Sequence, residues 1–168
     1  MDFGSTAHEY AAYRTSFPGE LFTRLAGRGI GLPGQRVADL GTGTGTLARG
    51  FAAAGCAVTG VDVAPEMLRE ARRADAAAGL RIAYRVAPAE VTGLPAASWD
   101  VCAGQCWHWF DCQRAAAEAR RLLVPGGALA ICYRDYVVEP GNVCAASEEL
   151  VLAHNPGWAM AGWSVPRE

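Results

Sequence analysis

The chain has 168 residues, 51% of them hydrophobic, and carries 15 basic against 17 acidic residues for a formal net charge of −2. That is enough chain to bury one core, and no stretch approaches the roughly 20 apolar residues of a membrane-spanning helix. Every basic residue is an arginine, and the arginines are scattered among the acids without the basic stripe that a nucleic-acid backbone requires, which argues against nucleic acid as a partner.

MDFGSTAHEY lacks the basic-then-apolar pattern of a secretory leader, so a soluble, cytoplasmic protein is expected. Cys56, Cys102, Cys106, Cys112, Cys132 and Cys144 are then expected as reduced thiols. The reading is one domain over 1–168, with a helical cap at 1–34, a core at 35–135, and a helix and tail at 136–168.

PGELFTRLAGRG (18–29) sets Leu21, Phe22, Leu25 and Ala26 on one face and predicts a helix laid across a sheet. QRVADL (35–40) reads as the first strand, and GTGTG leads into a helix near 45–54. CAVTGVD (56–62) is the second strand, followed by a helix that Pro65 opens and that runs to about Ala78. RIAYRVA (81–87) is a weaker strand, its arginines marking an exposed or edge position. WDVCAG (99–104) is the fourth strand, a helix spans about 111–123 and stops before PGG, and ALAICYR (128–134) is the fifth strand. Asn142 caps a last helix reaching about His154, and PGWAMAGWSVPRE has no periodic pattern. Strands alternating with helices specify a Rossmann-like, doubly wound α/β domain with a mostly parallel sheet of about five strands.

In such a sheet, ligands bind beyond the carboxyl ends of the strands, where strand order reverses. Five stretches therefore carry the chemistry: Asp39 to Gly45, Asp62, Ala87 to Glu90, Gly104 to Trp109, and Arg134 to Asp135. Gly41 and Gly43 allow a tight turn and close backbone approach, and amides opening the next helix suit an anionic group. Dinucleotide enzymes use G-x-G-x-x-G, and Thr46 stands where its last glycine belongs. Asp62, closing the second strand, suits two ribose hydroxyls in either cofactor class. Cys106, His108 and Cys112 lack the second ligand pair of a structural zinc site, so no metal is expected.

The series VADLGTGTGTL, VDVAPEML (61–68), APAEVTGLPAASWDVC (87–102) and ARRLLVPGGALAI (119–131) resembles the class I S-adenosylmethionine-dependent methyltransferases, in their methyltransferase type 11 branch. The resemblance covers 35–134, and Q-x-W-H-W-F after the fourth strand is similar to small-molecule members. It implies S-adenosylmethionine as cofactor, S-adenosylhomocysteine as product and a small-molecule acceptor. Asp39, Gly41 and Gly43 would then surround the methionine moiety, Asp62 hold the ribose, and Met67 pack on the adenine. Ala89 would offer its amide to the adenine ring. Glu90 would stand in for the acid that many relatives carry where this chain has Pro88, or else cap a short helix after it. Gln105 would pass under the methionine end, and Arg14, beside Tyr10 and Tyr13, would pair with a carboxylate of cofactor or substrate.

His108 is either the base that takes a proton from the acceptor or a structural histidine. Of Trp107 and Trp109, at least one is expected in the core and the other near the sulfonium or substrate. The complete class I fold adds a strand hairpin after the fifth strand, so the chain is expected to be truncated and to lack that hairpin. The exposed edge of the fifth strand would be covered by 141–168 or by a second copy in a homodimer. The alternatives are a catalytically incomplete cofactor-binding or assembly protein and a nicotinamide-dependent oxidoreductase.

Overall fold

In the computed structural model, residues 7, 11, 13–134 and 138–158 are described. The elements are α1 (Gly19–Ala26), β1 (Arg36–Leu40), α2 (Thr46–Ala53), β2 (Ala57–Asp62), α3 (Pro65–Ala77), β3 (Ala83–Val86), β4 (Trp99–Gly104), α4 (Cys112–Leu122), β5 (Leu123–Ile131) and α5 (Val143–His154). A 3-10 turn, Trp107–Trp109, follows β4. The chain divides into two compact units, Met1–Cys132 and Tyr133–Glu168.

The first unit holds a five-stranded sheet in the order β3-β2-β1-β4-β5, every neighbouring pair parallel. β1 is the pivot: the chain winds from it to β2 and β3 on one side, then crosses to β4 and β5 on the other. The carboxyl ends of β1 and β4 thus flank the crevice where strand order reverses.

Period-two alternation divides the core between the two faces of the sheet. Val37, Val58, Val101 and Ala103 pack with Leu47 and Phe51 of α2, whereas Ala38, Leu40, Val61 and Cys102 pack with Ala115, Ala119 and Leu122 of α4. Where β1 is fully buried its sequence is apolar except for Asp39, only 1% exposed. A carboxylate kept at such a position needs a reason, since burial of a charge is costly.

Strand β3 is an edge strand, and WDVCAG forms β4 over the expected residues. Two expectations change. The helix predicted to lie across the sheet, α1, packs on the edge of the first cluster against α2: Phe22 meets Phe51 edge-on at 5.3 Å and occupies the space a side chain on Gly50 would need. The fifth strand begins at Leu123 instead of 128 and ends at Ile131 instead of 134, because Leu123 is already extended and pairs with Trp99. A register irregularity between Trp99 and Val101 absorbs the Pro-Gly-Gly segment, and β5 is a sheet edge, where proline is tolerated.

The crossover from β3 to β4 is a loop pinned to α4. Glu118 accepts from the Thr92 amide at 2.9 Å and the Thr92 hydroxyl at 2.6 Å, and pairs with Arg121 at 2.7 Å. Arg121 also donates to the Leu94 carbonyl at 2.8 Å. Arg121 above all, with the Thr92 bonds helping, holds the Glu118 carboxyl down to about 2 against the opposing effect of burial.

In the second unit Asn142 caps α5 as expected, its side chain accepting from the Ala145 amide at 2.8 Å. Tyr10, Asp135 and residues 159–168 lie outside the described residues. Among the described residues, no helix is long and apolar enough to cross a membrane.

Candidate functional site

Three loops meet at the reversal point: the glycine loop after β1, the turn after β2, and the segment after β4. Gly41 has φ +66°, a left-handed conformation that an L side chain rarely adopts. A Cβ there would run into Cys106 Sγ and would lie 2.7 Å from the Phe110 ring. Glycine is therefore required for the first loop to touch the third, and the Cys106 thiol donates to the Gly41 carbonyl at 3.3 Å. At Gly43 a Cβ would meet nothing within 4 Å, so this side of the loop faces open space.

Behind the loop, Asp39 accepts the Thr42 hydroxyl at 2.6 Å. Burial pushes its carboxyl from the ordinary 3.8 up to about 7; the Thr42 bond and the Ala48 amide oppose the rise, and the charge of Asp62 adds to it. Asp62 closes β2 with each oxygen taking one backbone amide, Oδ2 from Gly43 at 2.8 Å and Oδ1 from Ala64 at 2.9 Å. A carboxylate oxygen has a second lone pair, so both remain able to accept a hydroxyl.

On the opposite wall, the 3-10 turn separates the two tryptophans. Trp107 is 5% exposed and packs edge-on to Phe110 at 5.5 Å, while Trp109 is 56% exposed with its ring 5.3 Å from that of His108. Trp107 belongs to the core and Trp109 to the wall, which divides the pair as expected. Glu90 reaches across from the loop after β3 and accepts the Asp111 amide at 3.0 Å, tying that loop to the start of α4. The reading that it caps a short helix after it is not met, since among the described residues no helix lies between β3 and β4; its carboxylate instead holds the amide of Asp111, the residue that caps α4.

One cavity of about 500 Å³ gathers Arg14, Asp39, Gly41, Gly43, Asp62, Met67, Ala89, Glu90, Gln105 and His108, ten of the residues selected from the sequence. Met67 and Ala89 are buried in its floor. Its lining also includes Thr42, Thr44, Thr46, Leu47, Val63, Ala87, Cys106, Trp109 and Phe110. Of these, sequence reasoning missed Thr42 and Cys106 as builders of the site. Thr42 was visible in principle, as a hydroxyl three residues from a strand-end acid, whereas Cys106 acts on a carbonyl 65 positions away. A wider hollow of about 670 Å³ lies at the far end of the sheet, along Arg36, Ala57, Ala83 and Trp99 at the amino ends of the strands, away from the convergent polar groups.

A doubly wound sheet with a ligand-sized cavity at its reversal point, an acid on the second strand and a glycine turn on the first, defines a Rossmann-like domain. Residues 37–127 match the model of a methyltransferase domain, and the chain belongs to that family, of the class I S-adenosylmethionine-dependent type. It is 37% identical over 134 residues to an uncharacterized methyltransferase of Mycobacterium tuberculosis, covering 79% of this chain and 52% of the relative. It thus spans about half the length of the curated relatives it matches. Among solved structures it is similar to a candidate type II methyltransferase from Anaeromyxobacter dehalogenans (32% identity, TM-score 0.65, 92% of this chain and 68% of that one). Another is an S-adenosylmethionine-dependent methyltransferase from Mesorhizobium loti (30% identity, TM-score 0.56, 67% and 52%).

Proposed function

We propose that this chain binds S-adenosylmethionine in the 500 Å³ cavity and supports methyl transfer to a small-molecule acceptor. The observation that carries the reading is the convergence of Asp62, the open side of Gly43 and the pair Gln105 and His108 on one cavity. The volume falls within the roughly 300–1,000 Å³ of small-molecule sites. The residues fit the cofactor's parts: Asp62 accepts sugar hydroxyls, Met67 and Ala89 supply an apolar floor for the base with Glu90 beside them, and the amides of the glycine loop receive the carboxylate of the tail. Asp39 lies beneath that loop to face the tail's ammonium, and Arg14 offers a cation to a carboxylate.

When bound, the cofactor supplies a methyl group on positively charged sulfur. The chain's task is then to hold the acceptor in line and dry, an orientation effect. Gln105 orients the methionine end, Trp109 offers a ring face to the acceptor, and His108 takes the acceptor's proton where the nucleophile carries one.

Calorimetric titration with S-adenosylhomocysteine tests the cofactor: wild type binds, and Asp62→Ala weakens binding at least about tenfold, the loss of two hydrogen bonds to a charged group. Transfer of labelled methyl to a panel of small acids, phenols and amines tests the reaction, with His108→Ala slowing it by about a hundredfold at neutral pH. Wild type that does not bind the nucleoside defeats the reading. Binding without transfer to any acceptor favours a cofactor-binding or assembly protein.

A further inference from the structure

Three residues outside every motif converge under the glycine loop from three elements: Arg49 from α2, Asp75 from α3 and Tyr84 from β3. Arg49 Nη1 donates to the Thr44 carbonyl at 2.7 Å and contacts Asp75 Oδ1 at 3.3 Å, with side-chain exposures of 18% and 6%. The Tyr84 hydroxyl and Arg49 Nη1 would lie 2.5 and 3.0 Å from a Cβ on Gly45, so both sit directly beneath that residue. Tyr84 pairs with Gly60 in the sheet, and a Cβ on Gly60 would meet the Tyr84 ring at 2.7 Å and Thr42 Cγ2 at 2.8 Å. The ring is therefore laid across β2 toward the loop, and the Arg72 guanidinium covers it at 5.5 Å.

This placement runs against local preference in two ways. A cation in the first turns of a helix opposes the helix dipole, and Arg49 is the fourth residue of α2. Buried polar atoms ordinarily find well-aligned partners, yet Asp75 Oδ2 and Tyr84 Oη are buried with no hydrogen bond of good geometry and have each other close by, burial first and then Asp75 pushing the Tyr84 hydroxyl up. Features that break local rules concentrate where function requires them. The common target here is Thr44, a residue of the cavity wall whose carbonyl Arg49 grips from below.

We propose that Arg49, anchored on Asp75 and backed by Tyr84, is a positioning residue that sets the shape of the glycine loop for the amino-acid tail of the cofactor. The proposal rests on the cofactor reading above and concerns the tail alone, because the ribose is held by Asp62. Affinities of wild type, Arg49→Met and Arg49→Lys for S-adenosylhomocysteine and for 5′-methylthioadenosine, which lacks the tail, separate this role from general destabilisation. Arg49→Met weakens S-adenosylhomocysteine about tenfold, as expected for loss of one charge-assisted bond, leaves methylthioadenosine within about twofold, and Arg49→Lys recovers part of the loss. Hydrogen exchange of the 42–46 amides is faster in Arg49→Met than in wild type. Equal weakening of both nucleosides, or unchanged affinity for S-adenosylhomocysteine, overturns the proposal. If wild type binds neither nucleoside, the cofactor reading falls, and loop amides that exchange no faster in Arg49→Met overturn the support as well.

Discussion

Asp39 makes stability depend on pH and, under the proposed function, makes cofactor affinity depend on it in the opposite direction. Its carboxyl is pushed from 3.8 to about 7, chiefly by burial, so the folded protein holds a proton that the unfolded chain has released. Stability that this group contributes is fully present below about pH 3.8, is lost progressively as pH rises, and is gone above about 7. At about 1.4 kcal/mol per pH unit, the interval from pH 5 to 7 is worth on the order of 3 kcal/mol. The assay is urea unfolding of wild type and Asp39→Asn from pH 5 to 8, since Asn keeps an acceptor for the Thr42 hydroxyl and does not titrate. The stability difference between the two proteins falls by on the order of 3 kcal/mol across this range, while Glu118 behaves alike in both. A difference constant to within about 0.5 kcal/mol, the ordinary scatter of a neutral substitution, refutes the reasoning. Under the proposed function the ammonium of the tail favours the charged carboxylate, so affinity for S-adenosylhomocysteine rises as pH passes through 7 and falls away below it.

Three other outcomes follow from the same geometry. Gly41→Ala combines a positive φ with overlap on Cys106 and Phe110 and lowers stability by about 2–5 kcal/mol, read by denaturant unfolding. Trp107→Ala removes a core side chain at a cost of about 3–5 kcal/mol, whereas Trp109→Ala changes stability by less than about 1 kcal/mol and acts on the acceptor's KM instead. Glu118, held at about 2, contributes stability present above its ordinary 4.5 and lost as pH falls through about 2. The stability difference between wild type and Glu118→Gln is therefore flat from pH 5 to 8 and shrinks in acid.

The alternation of strands and helices was legible because both periods are strong in this chain, and the binding end of the sheet followed from the alternation alone. These ten candidate residues reached one cavity because each was chosen at a strand's carboxyl end or on the loop beyond it, in the first turn of the helix that follows (Met67), or, for Arg14, on the segment before the first helix. What escaped the sequence was tertiary. Pro125, Gly126 and Gly127 read as a break, yet β4 pairs with Leu123 before them and Ala128 after them, so the strand continues through an unpaired, left-handed Gly126. Helix α1 looked like a cover for the sheet, but Gly50 opens a slot on α2 that Phe22 fills. Arg49, Asp75 and Tyr84 resemble ordinary surface or strand residues until three elements bring them together.

Cys106 poses a chemical problem that the fold resolves. Under the proposed function the cavity holds a methyl group primed for attack by any soft nucleophile, and a thiol lines that same cavity. A thiolate there would take the methyl itself and stop the enzyme, since the thiolate is the reactive form. Burial first, then the charges of Asp39 and Asp62, push this thiol up from 9.0 to about 12, and the retained S–H donates a hydrogen bond to the Gly41 carbonyl. At pH 8 its thiolate fraction is about a thousandfold below that of an ordinary cysteine. Iodoacetamide labelling followed by peptide mass spectrometry reads this directly: Cys112, which is exposed, is modified, while Cys106 stays unmodified in the native protein and reacts after unfolding. Native Cys106 labelled as fast as Cys112 would mean that the thiol is not masked, and the cavity would then be no place for an electrophilic methyl donor.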